Sequence, residues 1–158
     1  MKLLVTGGCG YVGTQLVKEL LLNDHSVVVL DTMWFGNYLK SNEKLRIVKS
    51  DIRHINDLDS EELFDVDVIF HLANISNDPS SEIDPKLTWE VNVLASKLLV
   101  EAGILNGVKR FIYASSGSVY GVKDEENVTE DLDLDPISDY NKTKMVSERV
   151  LMLSLIHI

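Results

Sequence analysis

The stretch VTGGCGYVG, Val5 to Gly13, places four glycines in nine positions directly after a short apolar run. Fixing a glycine costs more backbone entropy than fixing any other residue, so a cluster this dense marks a place where side chains are excluded. Lys2 to Thr6, ahead of it, reads as a buried strand ended by glycine. Tyr11 to Leu22, behind it, carries Val12, Leu16, Val17, Leu20 and Leu21 at helical spacing. Strand, glycine turn and helix in that order demand a sharp reversal with the helix start held against the strand end.

The alternation continues along the chain. Ser26 to Leu30 is β-branched and apolar and predicts a second strand, closed by Asp31. Leu45 to Lys49 predicts a third, followed by Asp51, and Asp57 to Phe64 a short helix. Val66 to Leu72 predicts a fourth strand, Asp84 to Asn106 a long helix, Arg110 to Ser115 a fifth strand, Gly121 to Asp139 an acidic loop, and Tyr140 to Leu153 a last helix. Strands separated by helices predict an α/β fold, a doubly wound parallel sheet of Rossmann type with helices on both faces. No repeat, low-complexity tract or linker divides the chain.

Composition narrows the partners. A net charge of −10 argues against nucleic acid and anionic membrane surfaces, which select basic patches. It leaves phosphate-bearing small molecules open, because backbone amides bind phosphate without lysine. The single cysteine, Cys9, forms no internal disulfide and fits a reducing compartment. No apolar run approaches the roughly 20 residues of a membrane helix, and MKLLVTGG is too short for a signal peptide. A cytoplasmic location is expected.

Gly7, Gly10 and Gly13 follow the spacing G-x-x-G-x-x-G, with Gly8 between. In dinucleotide-binding sheets one such glycine permits the turn, a second admits a pyrophosphate to the backbone, and a third lets the helix pack on the strand. The amides and positive dipole end of the helix then meet the phosphate. A tight turn without a ligand is the alternative. Asp31 lies 18 residues after Gly13, at a strand end where a carboxylate accepts from a ribose diol and repels a 2′-phosphate, which favours NAD over NADP. Its alternative is a carboxylate in water.

Tyr140 and Lys144 form Y-x-x-x-K, one turn apart on one helix face. An ammonium near a phenol favours the phenolate, and the pair then serves as a general acid/base near neutrality. A solvated helix face is the alternative. Ser116 follows the fifth strand at the edge where such sheets bind ligands, with a hydroxyl available to a reacting oxygen; alternatively Ser115, Ser116 and Ser118 are turn formers beside Gly117.

Taken together, TGGCGYVG at Thr6 to Gly13, Asp31, DIR at Asp51 to Arg53, HLAN at His71 to Asn74, Asn92, SSGSVYG at Ser115 to Gly121 and YNKTK at Tyr140 to Lys144 resemble the extended short-chain dehydrogenase/reductase family. Within it the chain is most similar to NAD-dependent nucleotide-sugar epimerases and dehydratases of the UDP-glucose 4-epimerase kind, over about residues 1 to 152. The resemblance implies that Gly7, Gly10 and Gly13 bind the pyrophosphate with the amides of Tyr11 and Val12. It implies that Asp31 binds the adenosine ribose, Asp51 and Ile52 contact the adenine, and Leu72 and Ala73 line the cofactor channel. Ser115 joins this set, and Asn92 supports it from the long helix. Tyr140 is implied as the base, Lys144 as the residue that holds the nicotinamide ribose and lowers the tyrosine pKa, and Ser116 as the catalytic hydroxyl.

The activity so implied is transient oxidation of a sugar: Tyr140 takes a hydroxyl proton, hydride passes to NAD, a 4-keto sugar forms and hydride returns, to the other face in an epimerase. The acidic pair that the family's dehydratases place after the catalytic threonine is replaced by Gly117 and Ser118, which demotes elimination of water. A dehydratase, a reductase and a non-catalytic NAD-binding fragment are the alternatives. The family's usual length implies a chain truncated before its last strands, without the carboxy-terminal domain that grips the nucleotide sugar. In the family that the chain resembles, the helices corresponding to the one from about Asp84 and the one from Tyr140 often form a four-helix homodimer interface, which leaves a homodimer open for this chain; no metal is expected.

Overall fold

The computed structural model describes residues 1–57 and 65–155. Five parallel strands form one sheet in the order β3-β2-β1-β4-β5. They are β1 Lys2–Thr6, β2 Ser26–Asp31, β3 Leu45–Lys49, β4 Val68–His71 and β5 Arg110–Tyr113. The helices are α1 Tyr11–Leu22, α2 Asp78–Ile83, α3 Pro85–Trp89, α4 Ser96–Leu105 and α5 Asp139–Leu155. Short 3-10 helices cover Ile52–Asp57 and Gly117–Tyr120, and Glu90–Ala95 is π-helical.

Adjacent residues of the central strands bury opposite faces. Leu4, Val28, Leu30 and Ile69 point to one side, where they meet Val91, Ala95 and Leu99 of the long helical run. Val5, Val27 and Val29 point to the other, against Val17 of α1. Burial on both faces is why these strands read as unbroken β-branched runs rather than alternating ones. α5 packs chiefly on the long helical run.

The expected strands are found, with shorter fourth and fifth members: the ladder ends at His71 and Tyr113, one and two residues earlier than expected. The single helix expected over Asp84 to Asn106 is three consecutive segments, opened by the Asp84 carboxylate, which accepts from the Leu87 amide at 2.9 Å. A preceding helix, α2, is capped by Asn77, which accepts from the Ser80 amide at 2.9 Å. Residues Gly121 to Ser138 form the expected loop, without helix or strand. Its ends are drawn together by the Asp135 amide donating to Val119 O at 3.0 Å. The helix expected over Asp57 to Phe64 lies, apart from Asp57, outside the described residues.

Strand order reverses at β1, which has β2 on one side and β4 on the other. Connections leave this point in opposite directions, so a crevice opens beyond the carboxyl ends of β1 and β4. Register places Leu30, Thr6, His71 and Tyr113 level across four strands, so the segments that follow all start at one edge.

Two glycines build that edge. Gly7 adopts φ +74°, and a Cβ there would stand 2.7 Å from Ala73 N. At Gly13 a Cβ would stand 2.2 Å from Gly7 O, so the first turn of α1 rests on the glycine turn itself. At Gly8, without a role in the spacing argument, a Cβ would stand 2.7 Å from the Val29 side chain. Gly13→Ala is expected to cost about 1–3 kcal/mol in urea unfolding through overpacking. Gly117→Ala, where a Cβ meets nothing within 4 Å, is expected to stay within about 0.5 kcal/mol; equal losses would contradict the contact.

Candidate functional site

A cleft of ≈ 840 Å³ opens at the strand-order reversal. Gly7, Gly10, Tyr11, Val12 and Gly13 line it from the β1–α1 turn, Asp31 from the end of β2, Asp51 and Ile52 from the end of β3, and Leu72, Ala73 and Asn74 from the end of β4. Ten of the residues proposed for cofactor binding therefore share one cavity. Gly10 stands at the N-cap of α1 with extended backbone and no side-chain cap. The first backbone bond of the helix runs from Thr14 N–H to Gly10 O at 2.9 Å. The amides of Tyr11, Val12 and Gly13 precede it and have no acceptor within the helix. The side chains of Tyr11 and Val12 turn to solvent, which leaves their backbone to face the cleft. This bare cradle, at the positive end of a 12-residue helix, fits a diphosphate.

Asp31 is fixed at both oxygens: Oδ2 accepts from Cys9 N–H at 2.9 Å and Oδ1 from Met33 N–H at 2.7 Å. Each oxygen keeps a lone pair for a further donor. Asp51 is held by Arg53, whose backbone amide, Nε and Nη2 donate to it at 2.9, 3.1 and 2.8 Å, while Nη1 reaches Glu90 at 3.0 Å. Burial pushes the Asp51 carboxyl up, and the bonds and charge of Arg53 outweigh it and hold the group below its ordinary range. Burial and the Asp31 charge push the Cys9 thiol up to about 11, so it carries no thiolate chemistry near neutrality.

Ser116, Tyr140 and Lys144 stand outside this cleft, beyond the carboxyl end of β5. The Tyr140–Lys144 helix face is not solvated: the two residues are 9% and 3% exposed. Lys144 Nζ donates to Ala114 O at 2.8 Å and lies 4.7 Å from the Tyr113 ring centroid and 5.9 Å from that of Tyr140. Burial draws its pKa down to about 8 against the opposing charge of Glu148. Asn74 links the two regions, lining the cleft while its Oδ1 accepts from Tyr113 Oη at 3.5 Å. Its Nδ2 is buried without a partner among the described residues.

Ser116 caps the 3-10 turn Gly117–Tyr120 and pairs with Ser118 Oγ at 2.6 Å. Ser118 donates onward to Asn141 Oδ1 at 2.6 Å, so it accepts from Ser116. Ser115 is exposed at the same edge. From sequence Ser118 reads as a turn former and Asn141 has no separate role; the folded turn brings the two together across 23 positions.

Asn92 is fully buried and outside the cleft lining. Its Oδ1 accepts from Ile75 N–H at 2.8 Å, and its Nδ2 donates to Ile75 O and Thr143 Oγ1, both at 3.0 Å. It thereby ties the segment after β4 to the first turns of α5. His71 completes the scaffold. Ser96 Oγ donates to Asn92 O at 2.7 Å and so accepts from His71 Nε2, 2.8 Å away; His71 Nδ1 then accepts from Thr6 Oγ1 at 2.7 Å. Burial, assisted by the Lys144 charge, drives the imidazole down to about 3 and keeps it neutral.

The family model for the NAD dependent epimerase/dehydratase family matches residues 3–153. A UDP-glucose 4-epimerase of Lactobacillus helveticus is 34% identical over 153 residues, which cover 96% of this chain and 46% of that protein. One of Mycolicibacterium smegmatis is 36% identical over 154 residues, covering 94% of this chain and 49% of that protein. A solved UDP-glucuronic acid 4-epimerase of Bacillus cereus, in complex with UDP-glucuronic acid and NAD, superposes with a TM-score of 0.89 at 33% identity, over 100% of this chain and 54% of that one. A dTDP-glucose 4,6-dehydratase of Streptomyces venezuelae with NAD bound gives 0.87 at 33%, over 95% and 50%. The chain spans about half the length of the curated relatives it matches.

The buried lysine gives a pH signature. Between about 8 and 10.5 the unfolded chain keeps the Lys144 proton that the folded chain has lost, so the Lys144 contribution to stability rises with pH across that window. Relative to Lys144→Met, which has no proton to lose, the wild type should gain unfolding free energy from pH 8 to pH 10.5. Chemical denaturation at a series of pH values reads this difference, and a flat profile would contradict the buried cation.

Proposed function

The chain belongs to the NAD dependent epimerase/dehydratase family, and from that membership we propose that it is the NAD-binding and catalytic-helix portion of a nucleotide-sugar 4-epimerase. One observation carries the reading. The uncapped glycine cradle, the Asp31 and Asp51 carboxylates and the buried Tyr140–Lys144 pair all lie at the carboxyl edge of the same sheet. A dinucleotide would be held along that edge by the amides of Tyr11 and Val12 at its diphosphate, by Asp31, Asp51 and Ile52 at its adenosine, and by Leu72, Ala73 and Lys144 toward its other end.

The chain's own groups divide the work. Tyr140 takes the proton of a sugar hydroxyl. Lys144, with one of its three donors on Ala114 O, offers the others to a ribose hydroxyl and supports negative charge on the phenol oxygen. Ser116 positions the reacting oxygen, its own proton held toward Ser118. Asn92 and His71 hold these parts in register from behind. The chemistry that a bound NAD would supply is reversible hydride transfer with the sugar carbon.

The turn after Ser116 is Gly117 and Ser118, with no carboxyl group to drive loss of water, which favours epimerisation over dehydration. A homodimer through the long helical run and α5 fits the exposure of Leu94, Met152 and Leu153 on those elements. A cytoplasmic location fits a single unpaired cysteine.

The test is conversion of UDP-, dTDP- and GDP-sugars by protein expressed from the whole gene, followed by NMR without added NADH. Inversion at C4 of at least one sugar is expected; retention in all of them would overturn the epimerase reading. Tyr140→Phe should lower kcat by about 100-fold or more, the scale of a lost general base, while NAD binding persists. Full activity in that variant would remove the tyrosine from its role.

A further inference from the structure

The segment after β2 presents aromatic side chains to water. Trp34, Phe35 and Tyr38 are 57%, 83% and 77% exposed, and all three line the cleft that contains Asp31, Asp51 and Ile52. Exposed aromatics clustered at the mouth of a cleft are a recognition feature more often than an accident of packing.

The turn that carries them is built and strained. Gly36 N–H donates to Met33 O at 3.0 Å, closing a turn with Trp34 and Phe35 at its two central positions. Met33 adopts φ +58°, a left-handed conformation that a side chain disfavours. It is kept there by Asp31, whose Oδ1 accepts from the Met33 amide. The other oxygen of the same carboxylate accepts from Cys9 in the glycine turn, and Cys9 Sγ lies 3.6 Å from Asn37 Oδ1 on the far side of the aromatic turn. The aromatic turn and the glycine turn are thus tied together through one carboxylate. Between Asp31 and Lys40 there is no cation, so the turn offers π-faces and no counter-charge for a phosphate.

We propose that Trp34 and Phe35 form an aromatic platform that stacks on the purine base of the dinucleotide held by the glycine cradle. The proposal rests on the dinucleotide reading above and adds the face of the base to the edge contacts at Asp51. It also gives Asp31 a second task, that of setting the height of the platform over the cradle. A flat π-face suits this position because stacking adds affinity without requiring a donor–acceptor match.

Isothermal titration of the chain with NAD, ADP and inorganic diphosphate tests the proposal. Trp34→Ala combined with Phe35→Ala should weaken NAD and ADP by roughly fivefold or more, the scale of one lost base–aromatic stack. Diphosphate affinity should stay unchanged. Trp34→Phe keeps a ring and should recover most of the loss, which separates stacking from damage to the turn. Wild-type ADP affinity in the double variant would overturn the platform and leave the dinucleotide reading intact. An altered state of self-association with unchanged ADP affinity would do the same, assigning the patch to a protein contact. Loss of diphosphate binding in step with ADP would overturn it as a collapse of the turn. A wild-type chain that binds neither NAD nor ADP would remove both readings.

Discussion

The contact between Gly13 and the carbonyl of Gly7 governs the rest of the site. With only hydrogen on the Gly13 Cα, the first turn of α1 settles onto the turn it grows from. That brings a row of backbone N–H groups with no helical acceptor to the carboxyl edge of the sheet, beside the strand-order reversal. A chain with a net charge of −10 repels a diphosphate at long range. Attraction of a diphosphate would then have to be local, and aligned amides at a helix start would provide it without a cation. Gly7 makes the same arrangement possible from the other side, since its left-handed backbone lets Ala73 approach within a distance that excludes a side chain.

Behind this edge runs a chain of directed hydrogen bonds. Thr6 donates to His71, His71 to Ser96 and Ser96 to the carbonyl of Asn92, with β1, β4 and the helical run as stations. Each donor has an acceptor, so the buried polar groups rigidify rather than destabilise the core. The Asn92 carbonyl also accepts from Ser147 of α5. Two hydroxyls converge on it inside a π-helical stretch, where the backbone ladder is looser and a carbonyl is free to turn outward. The same residue's side chain reaches Thr143, one position before Lys144. The segment after β4 and helix α5 are therefore braced against a single residue, which explains how two groups of side chains far apart in sequence keep a fixed separation.

Much of this was legible because its causes are local. The glycine spacing, the β-branched runs and the placement of Tyr140 and Lys144 one turn apart follow from residues within a few positions of each other, and the family resemblance drew on the same stretches. What escaped has causes at a distance. The Asn92 carbonyl inside the π-helical stretch accepts from Ser147, 55 positions away. The burial of Lys144 depends on Ala114 at the end of β5. The partnership of Ser118 with Asn141 depends on how the Gly117–Tyr120 turn meets α5. Gly8 looked superfluous until Val29 filled the space beside it. Trp34 and Phe35 count as apolar in any periodicity argument, yet they face water because the Asp31 carboxylate holds their turn away from the core.

The central claim is that one ligand spans the glycine cradle and the lysine-bearing helix along a single sheet edge. Amide NMR of the ¹⁵N-labelled chain, titrated in parallel with NAD and with ADP, measures this directly. Both ligands should shift the Tyr11, Val12 and Gly13 resonances saturably, and NAD alone should also shift Ala73 and Ala114. NAD shifts that leave the glycine cradle untouched, or that never reach Ala114, would contradict it.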